Sequence, residues 1–307
     1  MKHTLRKLIF SIATTLTALT STQGFCNDGA LYWGPQNPCP AFLDESCPVS
    51  EYMIFSTDFL YLRALQTGFD EVINNNKWDY GYRIALDYTF YDSPWDMGVD
   101  WMHFNTHTSG SHGSGITKTT ARWKIRLDVV NLRVGYDYFV LNSLAVKPYF
   151  GLRAARIKHD LSGHFVSPFR CISGTIAALD RDDSWKFGGA GPLLGVEVGT
   201  GFAEGFSAYG GLSFSLLYGW INTDINETQT IIAPTQVCDL DDSFQRQSCQ
   251  TVFDASLGIQ WETQILCNLQ LILQLGLEHH QYFNLNRLGN YGDLCVDGGN
   301  FSVGFRF

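Results

Sequence analysis

The chain has 307 residues, a formal net charge of −9 and a hydrophobic fraction of 45%. The acidic balance argues against a nucleic-acid partner. Beyond the N-terminus, no stretch approaches the ~20 consecutive apolar residues that a membrane helix requires, so helical spanning is excluded.

The N-terminus has the features of a secretory signal. Lys2 and Arg6 precede an apolar stretch, which small residues follow. We therefore predict a signal peptide over 1–24 and an exported protein. The segment 25–50 is rich in Cys and Pro and is predicted to lie in the periplasm, before a transmembrane domain over 51–307.

From about residue 53 onward, apolar residues recur with period two, which indicates β-strands. In the segment 266–278, leucines at every odd position from Leu269 to Leu277 share one face, and polar residues share the other. The predicted strands cover about 53–63, 78–91, 95–106, 121–140, 144–159, 185–202, 206–221, 251–262, 267–282 and 299–307. The long connections 160–184 and 222–250 could hold one more hairpin, so twelve strands is the alternative to ten.

Aromatic residues at the strand ends indicate that the apolar faces touch lipid. One predicted belt contains Trp78, Trp123, Trp220 and Phe253. The second contains Phe90, Trp95, Tyr138, Phe202, Trp261 and Phe307. Two such belts mark two membrane interfaces. The predicted fold is all-β, a transmembrane antiparallel β-barrel with short periplasmic turns and long external loops.

The last strand ends the chain on an aromatic residue. Phe301, Val303, Phe305 and Phe307 alternate with small or polar residues. In lipid, such a strand is stable only when both of its edges are paired, which requires a closed barrel. We expect these four residues to form the assembly signal for the barrel-assembly machinery.

One strand changes phase at Val129 and Val130. Trp123, Ile125 and Leu127 are predicted to face outward before this step, and even-numbered apolar residues follow it. A β-bulge at this step would keep both sets on the lipid face.

Charged residues alternate with the predicted lipid-facing rows. A midplane Arg or Lys in lipid costs about 2–4 kcal/mol, so these residues are predicted to face the lumen. The predicted pore-lining residues are Asp79, Arg83, Asp87, Asp96, Asp100, Lys124, Arg126, Asp128, Arg133, Asp137, Lys147, Arg153 and Glu197. The acidic residues are concentrated on predicted strands two and three, and the basic residues on strands four and five. The resulting electric field across the lumen would orient polar solutes in a water-filled pore. Alternatively, the same charges form salt bridges that fill a narrow barrel.

The eight cysteines of an exported chain indicate disulfides. Four are predicted on the periplasmic side: Cys26, Cys39, Cys47 and Cys267. Four are predicted in external loops: Cys171, Cys238, Cys249 and Cys295. Among the external cysteines, a disulfide between Cys238 and Cys249 is the pairing that we expect first. Partial cross-linking to other cysteine-rich envelope proteins is the alternative to purely internal bridges.

Histidines near the external loops raise the question of catalysis. His103 and His107 lie four residues apart, and His112, His159, His164, His279 and His280 lie near other loops. With Asp160 or Asp180, one of them could act as a general base. No serine with the surroundings of an activated nucleophile accompanies them, and the cysteine spacing does not suit zinc. We therefore expect no catalytic residues, no metal and no cofactor.

Six sequence blocks in order carry a family resemblance. They are Trp78–Arg83, Phe104–Gly110, Lys147–Arg153, Gly191–Glu197, Leu216–Gly219 and His280–Phe283. Together they resemble the major outer membrane protein family of Legionella and Chlamydia-like bacteria, from about residue 55 to the C-terminus. The resemblance implies an abundant porin-type barrel in the outer membrane of a Gram-negative bacterium, with cysteine cross-links in the chlamydial relatives. Lys147 stands where Arg would be expected, which loses a bidentate donor.

The resulting prediction is an outer-membrane porin for small hydrophilic solutes and ions, which also serves as a cysteine-linked structural protein of the envelope. Its predicted partners are outer-membrane lipid, solutes, the assembly machinery and other cysteine-rich envelope proteins. A closed structural barrel acting as a surface adhesin is the alternative, and an outer-membrane hydrolase is the third class.

Overall fold

A computed structural model gives the fold. It describes residues 52–66, 77–91, 93–114, 117–141, 144–171, 174–232, 235–266, 268–286 and 292–307. The predicted signal peptide, the Cys/Pro-rich segment with Cys26, Cys39 and Cys47, and Cys267 lie outside the described residues. In the described part, no helix is long and apolar enough to cross a membrane.

The described residues form one antiparallel sheet. Its strands are β1 Tyr52–Gln66, β2 Trp78–Thr89, β3 Trp95–Ser114, β4 Thr117–Tyr136, β5 Tyr138–Leu141, β6 Leu144–Cys171, β7 Gly174–Ala203, β8 Phe206–Ile232, β9 Thr235–Leu266, β10 Leu269–Asn286 and β11 Gly292–Arg306. Each strand pairs with its neighbour in the chain, except that β4 pairs with β6 past the short β5, and β1 pairs with β11. The sheet is therefore a closed barrel of ten strands with one extra short strand, as the sequence predicted, and the twelve-strand alternative is wrong.

The first and last strands close the ring. Phe59 lies opposite Phe301 and Phe55 opposite Phe305. The backbone amide of Met53 donates to the carbonyl of Phe307 at 2.8 Å, and the amide of Phe307 donates back at 3.0 Å. The pairing satisfies the backbone of both terminal strands, so neither edge is left open to lipid.

The described parts of the two longest predicted external loops are strand. β6 and β7 continue as a paired hairpin to Cys171 and Gly174, and β8 and β9 continue to Ile232 and Thr235. The predicted loops 160–184 and 222–250 are therefore corrected to strand extensions. Continued ladder pairing satisfies backbone groups that loops of this length would leave to water or to side chains.

The two faces of the barrel exchange character along the strands. In the lower part of β4, Val130 is 43% exposed and Leu132 points outward beside it, as expected for lipid contact. In the upper part, Trp123, Ile125 and Leu127 point inward and are buried, although the ladders to β3 and β6 run through this region without a register shift. The predicted bulge at Val129 and Val130 is thus wrong. The strand instead leaves lipid at this level, so that its polar face meets water and its apolar face packs inside.

The inward apolar side chains of the upper half form one cluster, here called the apolar core. It draws on every strand of the ten-strand ring except β2. Its buried members are Leu60, Leu62, Ala64, Met102, Phe104, Trp123, Ile125, Leu127, Val129, Ala155, Ile157, Trp185, Phe187, Leu217, Ile221, Val252, Tyr282, Leu285, Leu294 and Val296. The barrel is therefore filled with apolar side chains in its upper half.

Candidate functional site: the barrel lumen

The structure divides the predicted pore-lining residues into two groups. Alternation and burial place ten of them on the inner face: Asp79, Arg83, Asp87, Asp96, Asp100, Arg133, Asp137, Lys147, Arg153 and Glu197. Lys124, Arg126 and Asp128 lie on the outer face of β4, because their neighbours Ile125 and Leu127 occupy the inner face. For these three the prediction is corrected: they are on the outer face of the barrel, not in the lumen.

Arg83 of β2 is the centre of the first inner ion-pair group. Its Nη1 donates to Oδ2 of Asp58 at 3.0 Å, and Nη2 donates to Oε2 of Glu278 at 2.6 Å. Nη1 also donates to Oε1 of Glu278 at 2.9 Å, so the pair is bidentate. β2 and β10 are separated in the ring by β1 and β11, so this pair ties two non-adjacent strands together.

A second group continues from Glu278 across the lumen. Nε2 of His280 lies 3.0 Å from Oε2 of Glu278, and Nδ1 of the same ring lies 2.8 Å from Oδ1 of Asp254. Nη1 of Arg153, on β6, lies 2.6 Å from Oδ2 of Asp254, on β9. With Arg83 and Asp58, this chain of charges reaches from β1 to β6. Sequence reasoning treated His280 as a residue near a loop and missed its place in the network, since Asp254 and Arg153, through which the network continues, are distant from His280 along the chain.

Two further groups connect strands between β2 and β7. Arg133 donates to Asp87 at 2.8 Å and to Glu197 at 2.9 Å. Lys147 forms ion pairs with Asp96 and, at 3.4 Å, with Asp137. The acid and base that the sequence placed on opposite walls are therefore neutralised by each other.

His159 lies in the upper part of the lumen, between two indoles of the apolar core. Its ring centroid is 6.0 Å from that of Trp123 and 4.8 Å from that of Trp185. Burial lowers the pKa of His159 to about 3, and the nearby charge of Asp160 opposes that shift only in part. The imidazole is therefore neutral at pH 7, and the external half of the lumen carries no charge at this position.

Two of the predicted disulfide cysteines have described side chains. Cys249 is exposed, Cys295 is partly buried, and both are free thiols. Cys238 and Cys249 both lie on β9, eleven positions apart on one extended strand. That spacing corresponds to roughly 35 Å, far beyond the reach of a disulfide. A bridge between Cys238 and Cys249 is thus ruled out, while the side chain of Cys171 lies outside the described residues.

Several of the predicted histidines pair with carboxylates on the outer face. Nδ1 of His103 lies 2.6 Å from Asp128, and Nδ1 of His279 lies 2.5 Å from Asp297. His164 pairs with Asp180. These pairs lie on different strands of the barrel. Within the described residues, no group of three or more His, Cys, Asp or Glu side chains is placed to hold a metal ion.

Comparison with known families decides the identity of the chain. The family described as Legionella pneumophila major outer membrane protein precursor matches residues 29–304. The chain belongs to this major outer membrane protein family. The family and the barrel place this member in the bacterial outer membrane, in contact with membrane lipid. The resemblance drawn from the six sequence blocks is confirmed.

Three solved structures show a remote likeness to the chain. The outer membrane protease OmpT from Escherichia coli is 9% identical, with 85% of this chain and 97% of that chain covered and a TM-score of 0.44. A major outer membrane protein from Thermus thermophilus is 10% identical, with coverages of 84% and 99% and a TM-score of 0.35. The attachment invasion locus protein Ail of Yersinia pestis is 13% identical, with coverages of 84% and 99% and a TM-score of 0.25. No curated protein matches the sequence.

Proposed function

We propose that this family member is a structural barrel of the outer membrane whose lumen is closed at its external half by the apolar core. One observation supports the proposal above all others. Inward side chains from nine of the ten ring strands are buried, and four of them, Phe104, Ile125, Leu217 and Leu294, have essentially no exposed surface. A passage for hydrophilic solutes needs water along its whole length.

The ion-pair groups in the membrane half support the same conclusion. Ten strands enclose little more space than their inward side chains fill. Arg83–Glu278 and Arg153–Asp254 connect strands that are not neighbours in the ring. Such pairs hold the wall against expansion, which suits a stiffening role in the envelope.

Diffusion of small hydrophilic solutes and ions, the role first predicted, is the second candidate. The observation that favours it is the water access of one inner group: the Arg133 side chain is 27% exposed, and Asp87 and Glu197 are each 21% exposed. Water therefore enters the membrane half of the lumen. For a complete pore, the apolar core above this group would have to open.

Planar-bilayer recording of the refolded protein tests the proposal. We expect no steady ohmic current from the wild type. A triple variant, Phe104→Ala, Ile125→Ala and Leu217→Ala, removes bulk from the apolar core and is expected to conduct. The matched control Leu275→Ala truncates a lipid-facing side chain and is expected to stay silent. A steady ohmic current from the wild type would overturn the closed barrel and support the pore.

The cysteine-linked envelope role is part of the proposal and rests on external thiols. Cys249 is exposed on β9, which makes it accessible to a neighbouring protein. Burial raises the pKa of the Cys295 thiol, and Asp297 and Asp293 add to this rise, so Cys295 reacts more slowly. Gel mobility with and without reductant is the measurement. We expect a high-mass band that disappears with reductant and with Cys249→Ser, and a band that persists in that variant would refute the role of Cys249.

Surface attachment is compatible with a closed barrel, because long polar hairpins project above the membrane. We propose no catalytic role. The described His–Asp pairs on the outer face are separate from one another, and peptide cleavage by the refolded protein would contradict this part of the proposal.

A further inference from the structure

A cluster of cationic side chains covers one side of the barrel above the lipid. Its members point outward from β4, β6 and β7, and together they are called the basic face. They are Arg122, Lys124, Arg126, Arg156, Lys158 and Lys186. This concentration of positive charge contrasts with the formal net charge of −9 for the whole chain.

The basic face begins at the level where contact with hydrocarbon ends. On β4 the outward row changes from Val130 to Asp128 and then Arg126, and on β6 it changes from Leu152 and Ala154 to Arg156. Asp128 is the register partner of Arg156. The headgroups of the outer leaflet therefore lie beside these cations.

The strand register places like charges next to one another in the basic face. Arg126 lies opposite Lys158 on β6, and Lys158 lies opposite Lys186 on β7. Like charges directly opposite each other destabilise a sheet. A row of three cations across three strands therefore favours the binding of anions beside it.

The carboxylates of the same surface neutralise only part of this charge. Asp160 accepts from Lys158 at 2.8 Å. Asp128 is engaged by His103 at 2.6 Å. Asp182 is a third outward carboxylate, on β7, at the upper end of the basic face. Six cations thus face three carboxylates on the outward rows of these strands at these levels.

Two strands on the far side of the barrel, β10 and β11, differ from the basic face. There the outward residues of β10 and β11 are His279 and Asp297, which pair at 2.5 Å. The positive surface of β4, β6 and β7 is therefore not repeated on these two strands.

We propose that the basic face binds the phosphate groups of the glycolipid headgroups in the outer leaflet. Arg presents a planar fork that matches phosphate oxygens in pairs, and Lys adds point charges around it. The location of the basic face favours a lipid headgroup over a free anion as its ligand, because the cations begin directly above the lipid-facing rows. The inference rests on the membrane level of the strands and is independent of whether the lumen is open or closed.

Binding of lipid A to the refolded full chain in detergent micelles tests the proposal. The probes are lipid A with both phosphates, the same lipid A after dephosphorylation, and inorganic phosphate. We expect the phosphorylated form to bind at least about tenfold more tightly than the dephosphorylated form at low salt. Equal affinity for the two forms would overturn the proposal, and so would inorganic phosphate that displaces lipid A at equal phosphate concentration.

Two matched double variants locate the site. Arg126→Gln with Lys158→Gln removes two adjacent charges of the basic face and is expected to weaken binding roughly 30-fold. Arg63→Gln with Lys77→Gln removes two cations that lie outside the basic face, where they contact the Trp78 ring at 5.3 Å and Asp79 at 3.2 Å. This control is expected to bind within about threefold of the wild type.

An equal loss in both double variants would refute the location. If the first variant does not fold, the wild type decides by its salt dependence. Affinity for phosphorylated lipid A should fall between low and high salt while affinity for the dephosphorylated form stays constant, and an equal response of both forms would refute the role of charge.

Discussion

Removal of the Glu278 carboxylate measures how dry the lumen is. Glu278 accepts two hydrogen bonds from Arg83, at 2.9 and 2.6 Å, and its Oε2 lies 3.0 Å from Nε2 of His280. Its side chain is only 3% exposed. Glu278→Ala therefore leaves the guanidinium of Arg83 with Asp58 as its remaining ion-pair partner, in a site with little water.

Breaking a buried ion pair by removing one partner costs about 3–5 kcal/mol. We expect a loss of this size in the free energy of unfolding of Glu278→Ala, measured by urea titration in lipid vesicles with tryptophan fluorescence. The matched control is Glu197→Ala, which leaves Arg133 with Asp87 in a more hydrated site and should cost about 1 kcal/mol.

The comparison of these two variants decides whether the lumen around Arg83 is free of water. A cost for Glu278→Ala no larger than that for Glu197→Ala would mean that water replaces the carboxylate around Arg83. The reasoning that treats this level of the lumen as filled would then be refuted.

Two further predictions concern the upper half of the barrel. The pKa of His159 is lowered to about 3 in the folded state, whereas the unfolded state binds its proton near pH 6.5, so stability is lost as pH falls through this window. Between pH 7 and pH 5 the free energy of unfolding should fall by about 2 kcal/mol because of His159, and urea titrations at the two pH values measure this loss. The variant His159→Phe should not show this loss. An unchanged pH dependence in that variant would contradict the burial of a neutral His159. Phe104→Ala should cost about 3–5 kcal/mol because it leaves a cavity in the apolar core, whereas Phe104→Leu should cost below about 1.5 kcal/mol. Urea titration again gives both values, and equal costs would show that Phe104 is not packed on all sides.

The sequence was sufficient for the barrel and for the lower half of its wall. The leucine rows of β10 and the closing aromatic residues of β11 have one environment along their length, hydrocarbon outside and polar groups inside. In such segments the period of two fixes the face of every side chain. Alternation and burial place Arg83, Arg133 and Arg153 on the inner face.

The same rule failed for β4 because this strand passes through two environments. An apolar residue faces outward in lipid and inward in water, so Trp123 and Val130 point in opposite directions while both avoid water. The change of phase at Val129 and Val130 was the sequence signal for this change of environment. The charged residues Lys124 and Arg126, which lie just above that step, supported the same interpretation. Together these residues indicate the level at which the strand leaves the membrane.

Pairing across the lumen could not be predicted from the sequence. Arg83 and Glu278 are 195 positions apart, and their contact depends on closure of the ring between β1 and β11. The strand extensions were missed for a related reason, since polar residues on the outer face and apolar residues on the inner face give these segments the composition of long loops.

Depth-dependent quenching of tryptophan fluorescence tests most directly whether the apolar core exists. One variant retains Trp123 alone and another retains Trp101 alone, each in vesicles that contain lipids brominated along the acyl chain. Trp101 is exposed on the lipid-facing side of β3, and Trp123 is buried inside β4. We predict strong quenching of Trp101 and almost none of Trp123. Equal quenching of the two would place Trp123 in lipid and contradict the core that closes the barrel.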